Sequence, residues 1–188
     1  MKILHVICFL IYILSANKVY ALGDNNLPRD ESPAFEEAYF QIGYKSVEEA
    51  LKECEKHFGR VLELPFKLPP VEFTHHFGRF NNDPNNLNDG FEMEYLHEKQ
   101  SINHYMLNVR PVQQKINFSK PKRIIKTYKL KDGSEAIYFN TKHSTTDSSW
   151  FNILVFEKNG WQYILSVDNR IENSVPDKVL VKIAESVR

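Results

Sequence analysis

The chain has 188 residues, 42% hydrophobic and 26% charged, with 24 basic and 24 acidic side chains. That is the composition of an ordinary globular protein. Near-neutrality without a basic run argues against nucleic acid as the main partner.

Residues 1–21 read as a secretory signal peptide. Lys2 supplies a positive n-region, Ile3 to Ala16 an apolar run, and Val19-Tyr20-Ala21 a small-residue cleavage site. The expected localisation is secreted or extracytoplasmic, with cleavage near Ala21. The apolar run is too short, and too soon broken by Asn17 and Lys18, for a transmembrane helix, so none is expected in the mature chain. No Cys follows the cleavage site, so no bacterial lipid-attachment motif is read. Cleavage removes Lys2 and Lys18 and leaves 22 basic residues against 24 acidic. It also removes Cys8, so Cys54 has no partner for an intramolecular disulfide. The roughly 167 residues that remain supply a core without covalent staples.

Residues 22–33 (LGDNNLPRDESP) form a polar, proline-containing flexible leader, and residues 34–188 a single domain. Within Glu36 to Gly43, the run Tyr39 to Ile42 reads as either a short strand or a helical turn. Ser46 to Phe58 is the clearest helix. Ser46 and Glu49 form a capping box, and Val47, Ala50, Leu51, Cys54 and Phe58 share one face. Gly59 is the stop signal. Cys54 lies inside that stripe and reads as a small buried hydrophobe rather than a nucleophile. Leu64 to Pro70 is an extended, proline-punctuated connection, and Val71 to Phe80 a strand.

Asn81 to Gly90 is rich in turn-forming residues. Set against an EF-hand loop, with Asp89-Gly90 at positions five and six, it puts Asn85 first, Leu87 third and Leu96 twelfth. The carboxylates that would hold calcium are missing, and an ordinary turn is expected. Phe91 to Glu98 and Ile102 to Arg110 form a hairpin whose alternation pairs Tyr95 with Tyr105. That register sends His97 and His104 to opposite faces, and the adjacent His75 and His76 diverge likewise. The mature histidines (His57, His75, His76, His97, His104, His143) show no ligand spacing, so no metal site is expected.

Pro111 to Arg123 is a basic connection whose lysines are expected to form a solvated face. Ile124 to Leu130 and Glu135 to Thr141 form a hairpin around Asp132-Gly133, read with Leu130 opposite Glu135 and Tyr128 opposite Ile137. Ile124, Tyr128, Leu130, Ile137 and Phe139 then share a face. Lys142 to Ser149 contains His143 and Asp147 but lacks a Gly-x-Ser-x-Gly elbow, and is expected to be a solvated loop rather than part of a serine hydrolase.

Trp150 to Phe156 and Trp161 to Val167 meet at Asn159-Gly160, the strongest short-range hairpin signal in the chain. A two-residue loop sets Lys158 opposite Trp161, Phe156 opposite Tyr163 and Leu154 opposite Leu165. One face then carries Trp150, Leu154, Phe156, Trp161, Tyr163, Leu165 and Val167; the other carries Phe151, Ile153, Val155 and Ile164. Both faces are apolar, so this hairpin is central in a sheet, with helices on one side and some other cover opposite. Ser174 with Asp177 resembles a second N-cap, with Pro176 in the first turn. Val179, Leu180, Ile183, Ala184 and Val187 make the stripe of a closing helix. The fold class is α+β: one antiparallel sheet of about six strands in successive hairpins, with an N-terminal and a C-terminal helix mainly on one face.

The pieces SVEEALKECEKHF, LPFKLPP, YKLKDGSEAIYF, FNILVFEKNGWQYILSV and PDKVLVKIAESV, read together, resemble the exported bacterial domain-of-unknown-function family 4367. That family is common in spore-forming Gram-positive bacteria. The resemblance spans about residues 46 to 188; where the family often has Gly-Tyr after the Leu-Pro step, this chain has Pro70-Val71. The family is in turn similar to the curved sheets of lipoprotein carriers and periplasmic sigma-regulator sensors, which hold acyl chains or peptides. Fold alone does not carry that function across.

The leading expectation is a secreted or cell-envelope-associated, non-enzymatic interaction module with an unknown envelope protein as partner. The alternative is a carrier or sensor of an apolar, lipid-like or peptide ligand. Its candidate lining is Phe151, Ile153, Val155 and Ile164, or the opposite set, according to which face the helices take. No catalytic residue, metal or cofactor is implied.

Overall fold

The computed structural model describes residues 34–83, 88–118, 124–142 and 150–188, and Pro33–Arg188 form one compact unit. The signal peptide and leader expected over residues 1–33 lie outside the described residues, as do His143 and Asp147. In chain order the elements are helices α1 (Phe35–Gln41) and α2 (Val47–Phe58), then strands β1 (His75–Asn81), β2 (Gly90–Leu96) and β3 (His104–Pro111). Strands β4 (Ile124–Lys129), β5 (Glu135–Asn140), β6 (Phe151–Lys158) and β7 (Trp161–Asp168) follow, and helix α3 (Asp177–Ala184) closes the chain.

Asn159 and Gly160 both take positive φ, +50° and +77°. This is the type I′ turn whose twist matches the strands it joins. The register is the expected one, Lys158 with Trp161, Phe156 with Tyr163 and Leu154 with Leu165. Every residue of β7 is buried, because β6 and β3 flank it within one antiparallel sheet of order β1-β2-β3-β7-β6-β5-β4. Tyr95 pairs with Tyr105 as expected. The sheet has seven strands rather than about six, and its first is shorter than expected. Residues Val71 to Thr74 follow a turn closed by Val71 N–H on Pro69 C=O (2.9 Å), and pairing with β2 starts only at His75.

The main core lies between one face of the sheet and helices α2 and α3, with Tyr105, Leu154, Phe156, Trp161, Tyr163 and Leu165 at its centre. The Ser46 hydroxyl accepts Glu49 N–H (3.3 Å), and the Glu49 carboxylate accepts Ser46 N–H (3.4 Å), completing the capping box. Gly59 closes α2 at φ +63°. Helix α2 sits hard against β1: a Cβ on Gly78 would lie 2.7 Å from Val47 Cα, so only glycine permits that approach. Cys54 is fully buried, and burial pushes its thiol up to about 12. The ambiguous Tyr39–Ile42 run is mostly helical, as the end of α1. Tyr39 stacks on Phe77 at 4.6 Å. Phe77 and Gly78 alternate, so α1 covers the sheet face opposite α2.

Two expected local structures are corrected. The β4–β5 hairpin pairs Lys129 with Glu135, Tyr128 with Ala136 and Thr127 with Ile137, one residue away from the expected register. Its loop has three residues: Gly133 at φ +88° bonds Leu130 C=O (3.0 Å), and Leu130 N–H bonds Ser134 C=O (2.8 Å). That is a type I turn with a glycine bulge. A slip of one residue changes faces, so Leu130, Ala136 and Tyr138 join the main core while Ile137 and Phe139 face the other way. At α3 the N-cap is Pro176 without a side-chain cap, and Ser174 N–H instead bonds back to Ile171 C=O (2.9 Å). Asp177 opens the helix and accepts bonds from Tyr128 and Lys126. Trp150 precedes β6, half-buried, with the Lys142 ammonium 4.4 Å from its ring centre.

Candidate functional site

Helices α2 and α3 take the face of Leu154, Phe156 and Tyr163, so Phe151, Ile153, Val155 and Ile164 stand together on the opposite face. There they join Phe139 and Ile137 of β5. Exposure is 9% at Ile153, 5% at Val155 and 7% at Ile164, and Phe151 is half-buried. Among the described residues, Ile116 and Phe118 pack over this patch, the Phe118 ring lying 5.1 Å from that of Phe139.

The segment that carries these two side chains is held as a strap. It leaves β3 through a short 3₁₀ turn, Val112–Gln114, where Val112 N–H bonds Gly160 C=O (3.0 Å). The Gln162 side chain then meets Ile116 twice: its oxygen accepts Ile116 N–H (2.9 Å), and its amide donates to Ile116 C=O (3.0 Å). Lys115 pairs with Glu157 (2.8 Å). Of the lysines expected to form a solvated face over Pro111 to Arg123, Lys115 is exposed and Lys120 and Lys122 lie outside the described residues; alternation turns Ile116 and Phe118 inward beside it.

On β1 to β3 the same face becomes charged. Arg79 donates to Glu92 from Nε (2.8 Å) and Nη2 (2.5 Å). Its guanidinium also lies 4.5 Å from the ring centre of Tyr44. Tyr44 Oη donates to Glu94 (2.5 Å), and His104 Nε2 lies 3.3 Å from the same carboxylate. Burial pulls the Glu94 carboxyl upward, but His104, Tyr44 and Arg79 outweigh it and hold it below the usual carboxylate range. The His104 ring lies 5.9 Å from that of Phe151, joining the charged half to the apolar one.

Asp89 is buried to 1% exposure at the start of β2. It accepts Asp83 N–H (2.7 Å) and lies 3.1 Å from His57 Nε2, while its own N–H donates to Gln114 (2.9 Å). One carboxylate thus ties the β1–β2 loop to the end of α2 and the root of the strap. Its oxygens face the Asp83 N–H and the His57 ring. Among the described residues no three His, Cys, Asp or Glu side chains gather to hold a metal. His57, His75 and His104 each approach a different carboxylate, and His76 stacks on Tyr95.

Sequence reasoning missed the strap and the charged cluster. The alternation Ile116-x-Phe118 was a usable signal; Gln162, a polar residue inside an apolar strand, was another.

Fold and face together define an α+β domain whose central hairpin is apolar on both sides, with the second side roofed by the chain's own strap. Neither a family model nor a curated protein nor a solved structure matches the chain. Among the described residues, no helix is long and apolar enough to cross a membrane.

Proposed function

We propose that this protein is a secreted or cell-envelope-associated interaction module without chemistry of its own. The observation that carries the reading is the closed second face. The four residues that would line a groove pack beneath Ile116 and Phe118, and Gln162 holds that strap by two hydrogen bonds. The raised Cys54 thiol points the same way, since a thiolate is the reactive form. The signal-peptide pattern and the resemblance to an exported family support an extracytoplasmic setting.

The carrier reading stays second, on one observation: Ile116 and Phe118 occupy the place an acyl chain or apolar peptide would take. Native mass spectrometry of the full chain, purified after export from a Gram-positive host, separates the two readings. The expected result is a clean apo mass and no uptake of an environment-sensitive apolar dye. An added mass lost on organic extraction would overturn the module in favour of the carrier.

A further inference from the structure

Between α2 and β1 the chain runs extended along the edge of the main core, fastened at nearly every step. Arg60 Nη2 donates to Gly160 C=O (3.1 Å), and Leu62 N–H to the Glu55 carboxylate (3.1 Å). Trp161 Nε1 donates to Val61 C=O (3.2 Å) and Tyr163 Oη to Glu63 C=O (3.0 Å). Pro65 bridges to Val187, and Lys67 N–H donates to the Ser186 hydroxyl (3.1 Å). Leu62, Pro65 and Pro69 are buried by this strip. Three of its other apolar side chains are not: Val61 is 71% exposed, Phe66 55% and Leu68 39%.

Two cations lie at Phe66. The Arg188 guanidinium lies 4.0 Å from the Phe66 ring centre and the Lys67 ammonium 5.9 Å. Arg60 precedes Val61, and Lys158 reaches the C-terminal end through Val187 C=O (2.6 Å). None of the four forms an ion pair among the described residues. Carboxylates also lie along the strip: Glu55, which accepts Leu62 N–H, and Glu63, which accepts the Asn159 amide (2.8 Å), with Asp132 and Glu185 beside Lys158.

We propose that this strip is a docking surface for an anionic lipid membrane, with Phe66 and Leu68 entering the interface and Lys67 and Arg188 meeting the headgroups. Apolar side chains flanked by unpaired cations match a surface that is negative outside and apolar just beneath. A protein interface of ordinary stability needs on the order of 1,000 Å² or more, which three side chains do not supply. The strip's backbone is already fixed by the fold, so docking orders little that is not ordered beforehand. The proposal adds a partner to the interaction-module reading but uses a different surface from the roofed patch, so the native mass and the vesicle assay fail independently.

The test is co-sedimentation of the full chain with vesicles of equal phosphatidylglycerol and phosphatidylcholine, beside pure phosphatidylcholine vesicles, at low and high salt. Binding to the anionic vesicles that weakens with salt is expected. It should fall about tenfold or more in Phe66→Ser and in the double variant Lys67→Glu/Arg188→Glu. Phe40→Ser, at an equally exposed phenylalanine (55%) elsewhere, should leave it unchanged. Thermal melts confirm that each variant is folded. No binding to anionic vesicles at low salt, or binding indifferent to the strip variants, overturns the proposal. So does capture of an envelope protein, free of lipid, that Phe66→Ser abolishes.

Discussion

Gln162 holds Ile116 by both backbone groups, across 46 positions of sequence, as a neighbouring strand would. One side chain thereby substitutes for an eighth strand and roofs an apolar patch that β7 alone leaves open. Gln162→Leu keeps the bulk but leaves the Ile116 N–H and C=O without these partners. The two losses together cost about 1 to 3 kcal/mol, since Ile116 is half-buried and water replaces part of each bond. Urea unfolding should show a loss of about that size, and an apolar dye should bind the folded variant more than the wild type. Unchanged stability and dye binding would mean that the strap is held by other contacts.

Trp161 begins β7 at 1% exposure, with the Phe58 ring edge-on at 5.1 Å and the Arg60 guanidinium 3.8 Å from its ring centre. Its indole N–H is spent on Val61 C=O. Trp161→Ala therefore removes a large core ring and frees the root of the 60–68 strip. Denaturant unfolding should register a loss of about 3 to 5 kcal/mol. A loss below about 1 kcal/mol would place the ring on an open surface.

The two glycine-containing hairpin loops show how far the residues alone reach. Asn159-Gly160 was legible because both residues favour positive φ, and two such residues make the type I′ turn. Asp132-Gly133 carries the same kind of signal but closes a three-residue loop. Asp132 bonds Ser134 N–H (3.0 Å) and hydroxyl (2.6 Å), drawing Ser134 to the end of the turn. That side-chain bond, invisible in the dipeptide, decides the register and thus which face Ile137 takes. The amphipathic helix and the two-sided central hairpin were likewise local. The strap depends on sheet order, which brings β3 beside β7 with 49 residues between them, and no local pattern encodes that; the Arg79–Glu92 pair needs only the β1–β2 register, while Tyr44 meets Glu94 across 50 positions.

Cys54 tests whether the thiol in α2 is only a filler. Burial raises it to about 12, so at pH 8 almost none is thiolate, and no reagent reaches it without opening the helix. A disulfide reagent should leave the native chain unmodified and label it fully in denaturant. Cys54→Ala should cost about 1 kcal/mol as a small cavity and leave binding intact. Rapid labelling of the native protein, or a loss of binding in a folded Cys54→Ala, would refute the structural role.

Glu94 sets the acid limit on this half of the sheet. Its folded carboxyl lies below the usual carboxylate range, because His104, Tyr44 and Arg79 favour the charged form more than burial disfavours it. A carboxyl depressed on folding stabilises the folded state fully above the unfolded pKa, and that stability is lost as pH falls through the folded pKa. The contribution is thus whole at pH 6 and fades through the ordinary carboxylate range downward, as the Tyr44 bond loses its charge assistance. Glu94→Gln removes the titrating group. The variant should be less stable at pH 6, and the gap to wild type should narrow as pH falls below the ordinary carboxylate range. Urea midpoints for both proteins between pH 6 and pH 3 check this. A gap that stays constant over that interval would mean that the carboxylate's charge contributes nothing and that Glu94 acts only by filling space between β1 and β3.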